Sequence, residues 1–413
     1  MIYNESIYNK LWETKKLSDL GDFSRGKSKH RPRNDPRLFE GGGYPLVQTG
    51  EIKEANLYIT SHSQEYGEFG LKQSKLWDRD TLCITIAANI AETALLSYPM
   101  CFPDSVVGFK AYEGISTERF MYYVFSFIRN SIQNSVTGST QDNINIDYLT
   151  SLDFKIPSKK EQDKIADILS AIDLKILSNN RINDNLQHQL KLMYDYWFTQ
   201  FDFPDENGNP YRASGGAMVW NAELQREIPL GWECKSLGDL LIKNIDSFDY
   251  NGIEPTIDLS VMPSASISLQ KLNSSDQFTT NLFIMHEGDI LFGSIRPYLK
   301  KAGIAPCDGV VAGTVHSYRV KLEQDYNFAL FTLCRDSFFD YALTVSTGTK
   351  MPVVSSDSIL SYKIPYSPKV VALFNQTNIR DIICRNVREA NSLSSLRDWL
   401  LPMLMNGQAT ISN

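Results

Sequence analysis

Apolar residues at alternating spacings of four and three dominate one stretch of the chain. Ile165, Leu169, Ile172 and Ile176, then Asn179 and Asn183, then Leu186, Leu190, Met193 and Trp197 make one continuous seam, and no Gly or Pro interrupts the run from Ser158 to Phe203. Sustained over about five heptads, this spacing predicts a long helix of coiled-coil type. A second seam, Ile379, Ile383, Asn386, Ala390, Leu393 and Leu400, repeats the first at an offset of 207, so that Asn386 matches Asn179. Arg397 interrupts it. The seam asparagines have two readings, a tolerated polar kink or a register-setting layer, since a seam Asn is satisfied only against a suitable partner. Two such helices in one chain should pack on each other, because neither buries its apolar face alone. A helix of roughly 40 residues spans about 60 Å, the length of a spacer.

Outside the helices the pattern changes to short apolar runs such as Leu82–Ile86 and Asp289–Phe292, broken by Gly, Pro, Asn and Asp. These read as strands, and Phe120, Val124, Phe127 and Ile128 share one face of a helix expected over Glu118–Ile132. Mixed α/β (α+β) domains with a curved sheet and long loops follow.

The chain also repeats itself. Trp12–Leu20 recurs as Trp232–Leu240 with six of nine positions identical. Asp104–Val107 is answered by Asp308–Val311, Thr137–Thr140 by Thr347–Lys350, and Lys155–Pro157 by Lys363–Pro365. The order is kept while the offset falls from 220 to 208, as expected of a duplicated unit whose second copy lost loop residues. The expected layout is a domain over 1–157, a long helix over 158–200, a linker over 201–231, a second domain over 232–366 and a second long helix over 367–407.

Composition narrows the function. At 413 residues two or three domains are expected, and no stretch approaches the roughly 18 apolar residues of a membrane span. The six cysteines lie far apart with no metal-ligand spacing, so a cytoplasmic protein with reduced thiols is expected. A net charge of −7 argues against a protein that coats nucleic acid nonspecifically, because such proteins draw affinity from phosphate neutralisation. Local basic segments remain. Arg25, Lys27, Lys29, Arg31 and Arg33 alternate with other residues beside His30 and Arg37, and read either as a solvated loop or as a nucleic-acid contact. In the second copy Ser294, Arg296, Tyr298 and Lys300 form a basic, aromatic segment, with Arg296 suited to guanine or phosphate. The turns Ser139, Thr140 and Gln141, and Thr349 and Lys350, offer hydroxyls and amides for phosphate; Gln48 and Thr49 are a further candidate.

Signals for chemistry fail in context. Gly21–Ser28 matches the P-loop pattern, yet no apolar strand precedes it, and Pro32 and Pro36 forbid a useful helix after it, so it reads as part of the basic loop. Asn209-Pro210-Tyr211 is one proline short of the tetrapeptide with which amino-methyltransferases hold a base. His286-Glu287 has no second His at helical spacing. No metal site and no catalytic residue are assigned.

One family unites these features. The run Lys155–Leu169 with Ile172-Asp173 and Asn179–Asn183, the linker Phe203–Gly208 with Ser214–Gly216 and Arg226–Glu233, and the ending Leu396–Gly407 resemble type I restriction-modification specificity subunits. The resemblance covers nearly the whole chain. It implies a non-catalytic subunit whose two target-recognition domains, in tandem and related by a pseudo-twofold repeat, read the halves of an interrupted double-stranded DNA site. It further implies that the two helices form an antiparallel coiled coil that sets the spacer and docks two methyltransferase subunits and restriction subunits. Those partners use S-adenosylmethionine, ATP and Mg2+, and the chain itself needs no cofactor. The competing readings are a P-loop ATPase or nuclease acting on DNA, and a coiled-coil scaffold that binds protein.

Overall fold

A computed structural model describes residues 3–87, 90–137, 146–249 and 252–411. The chain folds into two compact units, one of residues 1–177 with 392–413, the other of residues 178–391.

In the first unit a five-stranded sheet runs in the order Gly21–Arg25, Val106–Ala111, Leu82–Thr85, Thr93–Leu96, Tyr58–Ile59. Its neighbours are antiparallel except the last pair. Strand Leu82–Thr85 is buried on both faces, as its unbroken apolar run requires. The helix Glu118–Thr137 covers the sheet with Phe120, Val124, Ile128 and Ile132, all at most 2% exposed. A smaller sheet orders Gln64–Tyr66, Tyr44–Leu46, Met100–Cys101 and Leu76–Trp77, and strand Glu13–Lys16 pairs with Asp153–Ile156.

The second unit has the same kinds of parts. One sheet orders Leu241–Lys243, Val315–Val320, Ile290–Gly293 and Ala302–Ile304, the other Asn273–Ser274, Pro255–Ile257, Gly309–Ala312 and Leu282–Met285. Strand Glu233–Ser236 pairs with Lys363–Tyr366. Ile156 faces Glu13, whereas Ile364 faces Lys235, a two-residue difference in register that keeps every side chain on its face. The stretch expected as a linker carries a hairpin, Met218–Asn221 with Arg226–Pro229.

One sequence anchor does not hold. Val106 and Val107 open the strand that lies between Gly21–Arg25 and Leu82–Thr85, a place taken in the second unit by Val315–Val320. Val310 and Val311 lie instead in a strand flanked by one parallel and one antiparallel neighbour, the place of Met100–Cys101. The match Asp104–Val107 to Asp308–Val311 joins two different strands, because a Val pair after a turn is common to both.

The central helix runs Lys159–Tyr194 and ends in a π-turn, Asp195–Thr199. Its buried face is Ile165, Leu169, Asp173, Ile176, Asn179, Asn183, Leu190, Tyr194 and Phe198. Leu186 and Ile172 are half-buried. Met193, expected in the seam, is 37% exposed, and Tyr194 takes its place, donating to or accepting from Thr332 at 2.8 Å. The reason is period: an α-helix drifts by about 20° per heptad against a 3.5 repeat, and steps of four therefore accumulate toward its end.

The single helix expected over 367–407 is two. Pro368–Phe374 and Ile379–Met405 are separated by Asn375–Asn378. Asn327 holds the break open by donating its side-chain amide to the Phe374 and Thr377 carbonyls, and its backbone amide donates to Asn375 Oδ1. The carbonyls freed at a helix end are thus satisfied from the neighbouring helix. Of the second seam, Ile379, Ile383, Asn386 and Ala390 are buried, and Leu393 and Leu400 are half-buried.

The asparagines hydrogen-bond to one another's helices. Within the second unit Asn386 Nδ2 donates to Asn183 Oδ1 at 2.8 Å, and Asn179 Nδ2 to Glu389 Oε2 at 2.8 Å, so the two helices run in opposite directions there. Within the first unit Arg397, expected to interrupt the seam, fills it: Nη1 lies 2.7 Å from Asp173 Oδ1, and Asp173 is 1% exposed and also accepts from Tyr123 Oη at 2.6 Å. Burial works against the Arg397 charge, but Asp173 and Asp398 outweigh it and hold the guanidinium above its ordinary value.

Candidate nucleic-acid interface

The basic segment of the first unit begins in a strand, not a loop. Gly21–Arg25 pairs along Val106–Ala111, and Gly21 is packed so closely that a Cβ would meet the Phe109 ring at 2.4 Å. This is a sheet-packing glycine, which accounts for the P-loop pattern without a phosphate. Beyond Arg25 the chain leaves the sheet but stays fixed by its backbone. Gly26 N–H donates to Val106 O at 2.8 Å, Lys29 N–H to Gln73 O at 3.1 Å, and Ser74 Oγ to Lys27 O at 2.9 Å.

Its side chains sort into two groups. Arg31 and Arg33 share Asp104, at 3.5 and 2.6 Å, and Arg37 and His30 close on Asp35. The hydrogen bonds from Arg37, then His30, hold the Asp35 carboxyl well below the usual carboxylate range, and Asp35 raises Arg37 in turn. Arg25, Lys27 and Lys29 are exposed and have no acidic partner among the described residues. The pairing with Asp104 is invisible in sequence because Asp104 lies some seventy residues away. Gln48 has a different place. It precedes the short helix Thr49–Glu54, where its N–H donates to Glu51 Oε2 and its side chain reaches Gln64, while Thr49 is the first helical residue. Ser139, Thr140 and Gln141 lie outside the described residues.

In the second unit the structure brings two sequence-predicted segments together. Arg296 N–H donates to Pro352 O at 2.8 Å, Ile295 bridges Val353, and Thr347 bridges Val353 with two bonds of 2.9 Å. The turn at Gly348, whose φ of 90° suits a glycine, therefore presents exposed Thr349 and Lys350 beside the segment that carries Arg296 and Tyr298. Arg296 is exposed with φ of 52°, and Lys300 has the same φ. Two non-glycine residues in the left-handed region within five positions is unusual, each costing about 1–3 kcal/mol, and such strain gathers at binding sites.

Two predicted members are otherwise engaged. Ser294 is 3% exposed and its hydroxyl donates to Thr314 O at 2.9 Å, so it is part of the fold. Lys300 Nζ lies 2.6 Å from Asp336, which raises the ammonium and is itself lowered by it. Arg296, Tyr298, Thr349 and Lys350 remain as exposed side chains, two of them cationic. No helix of the described chain is long and apolar enough to cross a membrane.

Residues 9–188 match the family model described as the type I restriction modification DNA specificity domain. The MjaIX type I restriction enzyme specificity subunit of Methanocaldococcus jannaschii is 23% identical, over 97% of this chain and 94% of its own. The EcoDI specificity subunit of Escherichia coli is 22% identical, over 97% and 85%. The crystal structure of the type I restriction-modification S subunit from M. genitalium superposes over the full length of both chains with a TM-score of 0.60 at 15% identity, so the mixed α/β fold with long helices is shared.

Proposed function

We propose that the chain, whose residues 9–188 match the type I restriction modification DNA specificity domain and which is similar along its length to type I specificity subunits, is the non-catalytic component that reads a bipartite double-stranded DNA site for its partners. The observation that carries this reading is that a chain of net charge −7 keeps, in each of its two units, exposed cationic side chains with no acidic partner among the described residues, Arg25, Lys27 and Lys29 in one and Arg296 and Lys350 in the other. Arg25, Lys27 and Lys29 serve one half-site, with Arg31 and Arg33 beside them. Arg296, Tyr298, Thr349 and Lys350 serve the other. Phosphate contacts set the register, and base contacts supply identity.

The duplicated unit, the domain boundaries read from it and an antiparallel coiled coil that separates the half-sites are parts of the same proposal. So is the docking of two methyltransferase subunits and of restriction subunits, which bring S-adenosylmethionine, ATP and Mg2+. The opposite run of the two long helices and the bonds of their buried asparagines, Asn386 to Asn183 and Asn179 to Glu389, support a fixed register between them. Methylome sequencing of a host that carries this chain with its methyltransferase is expected to return an interrupted motif. A heptad added to each helix should lengthen the unread gap. A continuous motif, or an unchanged gap, contradicts the reading.

Charge removal separates the groups in the first unit. Changing Arg25, Lys27 and Lys29 to Gln should weaken DNA binding by the assembled complex on every sequence alike. The slope of log K against log salt should flatten by about 0.9 for each phosphate that is no longer neutralised. Gln at Arg31 and Arg33 should act less, since Asp104 already neutralises them. Salt titrations that show equal effects for the two sets count against this division.

A further inference from the structure

The strained loop Ser294–Lys301 is held by the central helix. Asn183, Gln187 and Lys191 stand four residues apart and so share one helix face. Asn183 Nδ2 donates to Ser268 Oγ at 3.1 Å. The Gln187 amide makes two bonds to one short segment, Nε2 donating to Ala265 O at 2.8 Å and Oε1 accepting from Ile267 N–H at 2.9 Å. Lys191 Nζ lies 3.4 Å from Asp336, the carboxylate that also binds Lys300.

The connection continues through the backbone. Ala265 N–H donates to Lys300 O at 2.8 Å, Lys300 N–H to Pro297 O at 2.8 Å, and Leu299 N–H to Arg296 O at 2.9 Å. Ala265, with φ of 55°, is a third non-glycine residue in the left-handed region, joined in series to Lys300 and Arg296. A left-handed residue persists only where its surroundings over-determine it. Here three such residues are joined in series to one side chain of a long helix, beside the bond of Arg296 N–H to Pro352 O and the ion pair of Lys300 with Asp336. We infer that Gln187 is a positioning residue for DNA recognition: it fixes Ala265, and through Ala265 and Lys300 the conformation that aims Arg296. This rests on the reading of Arg296 as a base- or phosphate-contacting residue of the second half-site.

Gln187 is half-exposed and Ala265 exposed, so losing the first bond leaves Ala265 O to water, whereas Ile267 is 1% exposed and its N–H loses its partner inside the fold; a side chain of like shape and propensity keeps the helix. Gln187→Met is therefore compared with Arg296→Ala, each assembled with the methyltransferase and given DNA carrying single-base changes in either half-site. Thermal melts run in parallel. The expected result is that both variants relax discrimination in the second half-site, Gln187→Met by about tenfold, the order of the net hydrogen bonding that its two lost bonds supply. The first half-site should stay as it was, and the melting temperature of Gln187→Met should fall only by the few degrees that one unpaired buried N–H costs. If only Arg296→Ala relaxes the second half-site, the positioning role is overturned and the recognition reading stands. If neither does, the recognition reading falls and the inference with it. If Gln187→Met relaxes both half-sites equally, the residue is a general support of the fold and the inference is overturned.

Discussion

Arg397→Met is expected to lower the stability of the first unit by about 3–5 kcal/mol, because it leaves the buried Asp173 carboxylate without its counter-charge. Asp173 is 1% exposed and has two donors, Arg397 and the Tyr123 hydroxyl; Met supplies volume but no donor. The loss should fall at the lower end of the range because the guanidinium is itself a quarter exposed. Adding Asp173→Asn to Arg397→Met should recover much of it, since a neutral amide can still bond Tyr123 and no longer needs a cation. Urea unfolding of the four proteins in this cycle gives the coupling directly. Additive losses would mean that the pair is not a unit.

At Arg296 two substitutions should part company. Arg296→Ala is expected to cost about 1–3 kcal/mol of discrimination in one half-site only, the worth of one specific side-chain contact. Arg296→Gly should lose the same discrimination yet raise stability by about 1 kcal/mol, because glycine adopts a φ of 52° without the penalty that a Cβ brings. Half-site-resolved methylation assays and melts on the same preparations test both parts. Equal loss in the two halves would sink the division of labour between the units, and a destabilised Gly variant would mean that the strain is not stored at this residue.

Some of this is legible in the sequence. The central helix is, because its apolar period persists along the whole of Lys159–Tyr194 and no Gly or Pro competes with it. The strands around Leu82 and Ile290 are too, as short apolar runs between turn residues. The failures have specific causes. Met193 and Tyr194 differ by one position, and a 3.5-residue ruler laid on a 3.6-residue helix must err by one near its far end. The break at Asn375–Asn378 depends on Asn327, nearly fifty residues earlier, and no local pattern contains it. Arg397 looks like a defect because a charge in a seam is one until its partner is seen, and Asp173 is more than two hundred residues away. Among the candidate contacts, residue type alone does not separate exposed Arg296 from Lys300, which Asp336 neutralises, or from Ser294, which is buried. What divides them is tertiary pairing.

The first unit is completed by residues 392–413, and Asn4 donates its side-chain amide to the Met405 carbonyl while Ser6 bonds that of Asn406. The second unit, by contrast, is one unbroken stretch of chain. At roughly 5–20 residues per second on the ribosome, residue 392 is made about 10–40 s after residue 177. The part synthesised first must therefore wait, with the face that Leu404 and Met405 will cover still open to water, while the part synthesised second already has everything it needs to fold. The unit begun first is thus the one whose last residues are made last. A premature stop at residue 392 would release a protein whose later-made unit is whole and whose earlier-made unit is not.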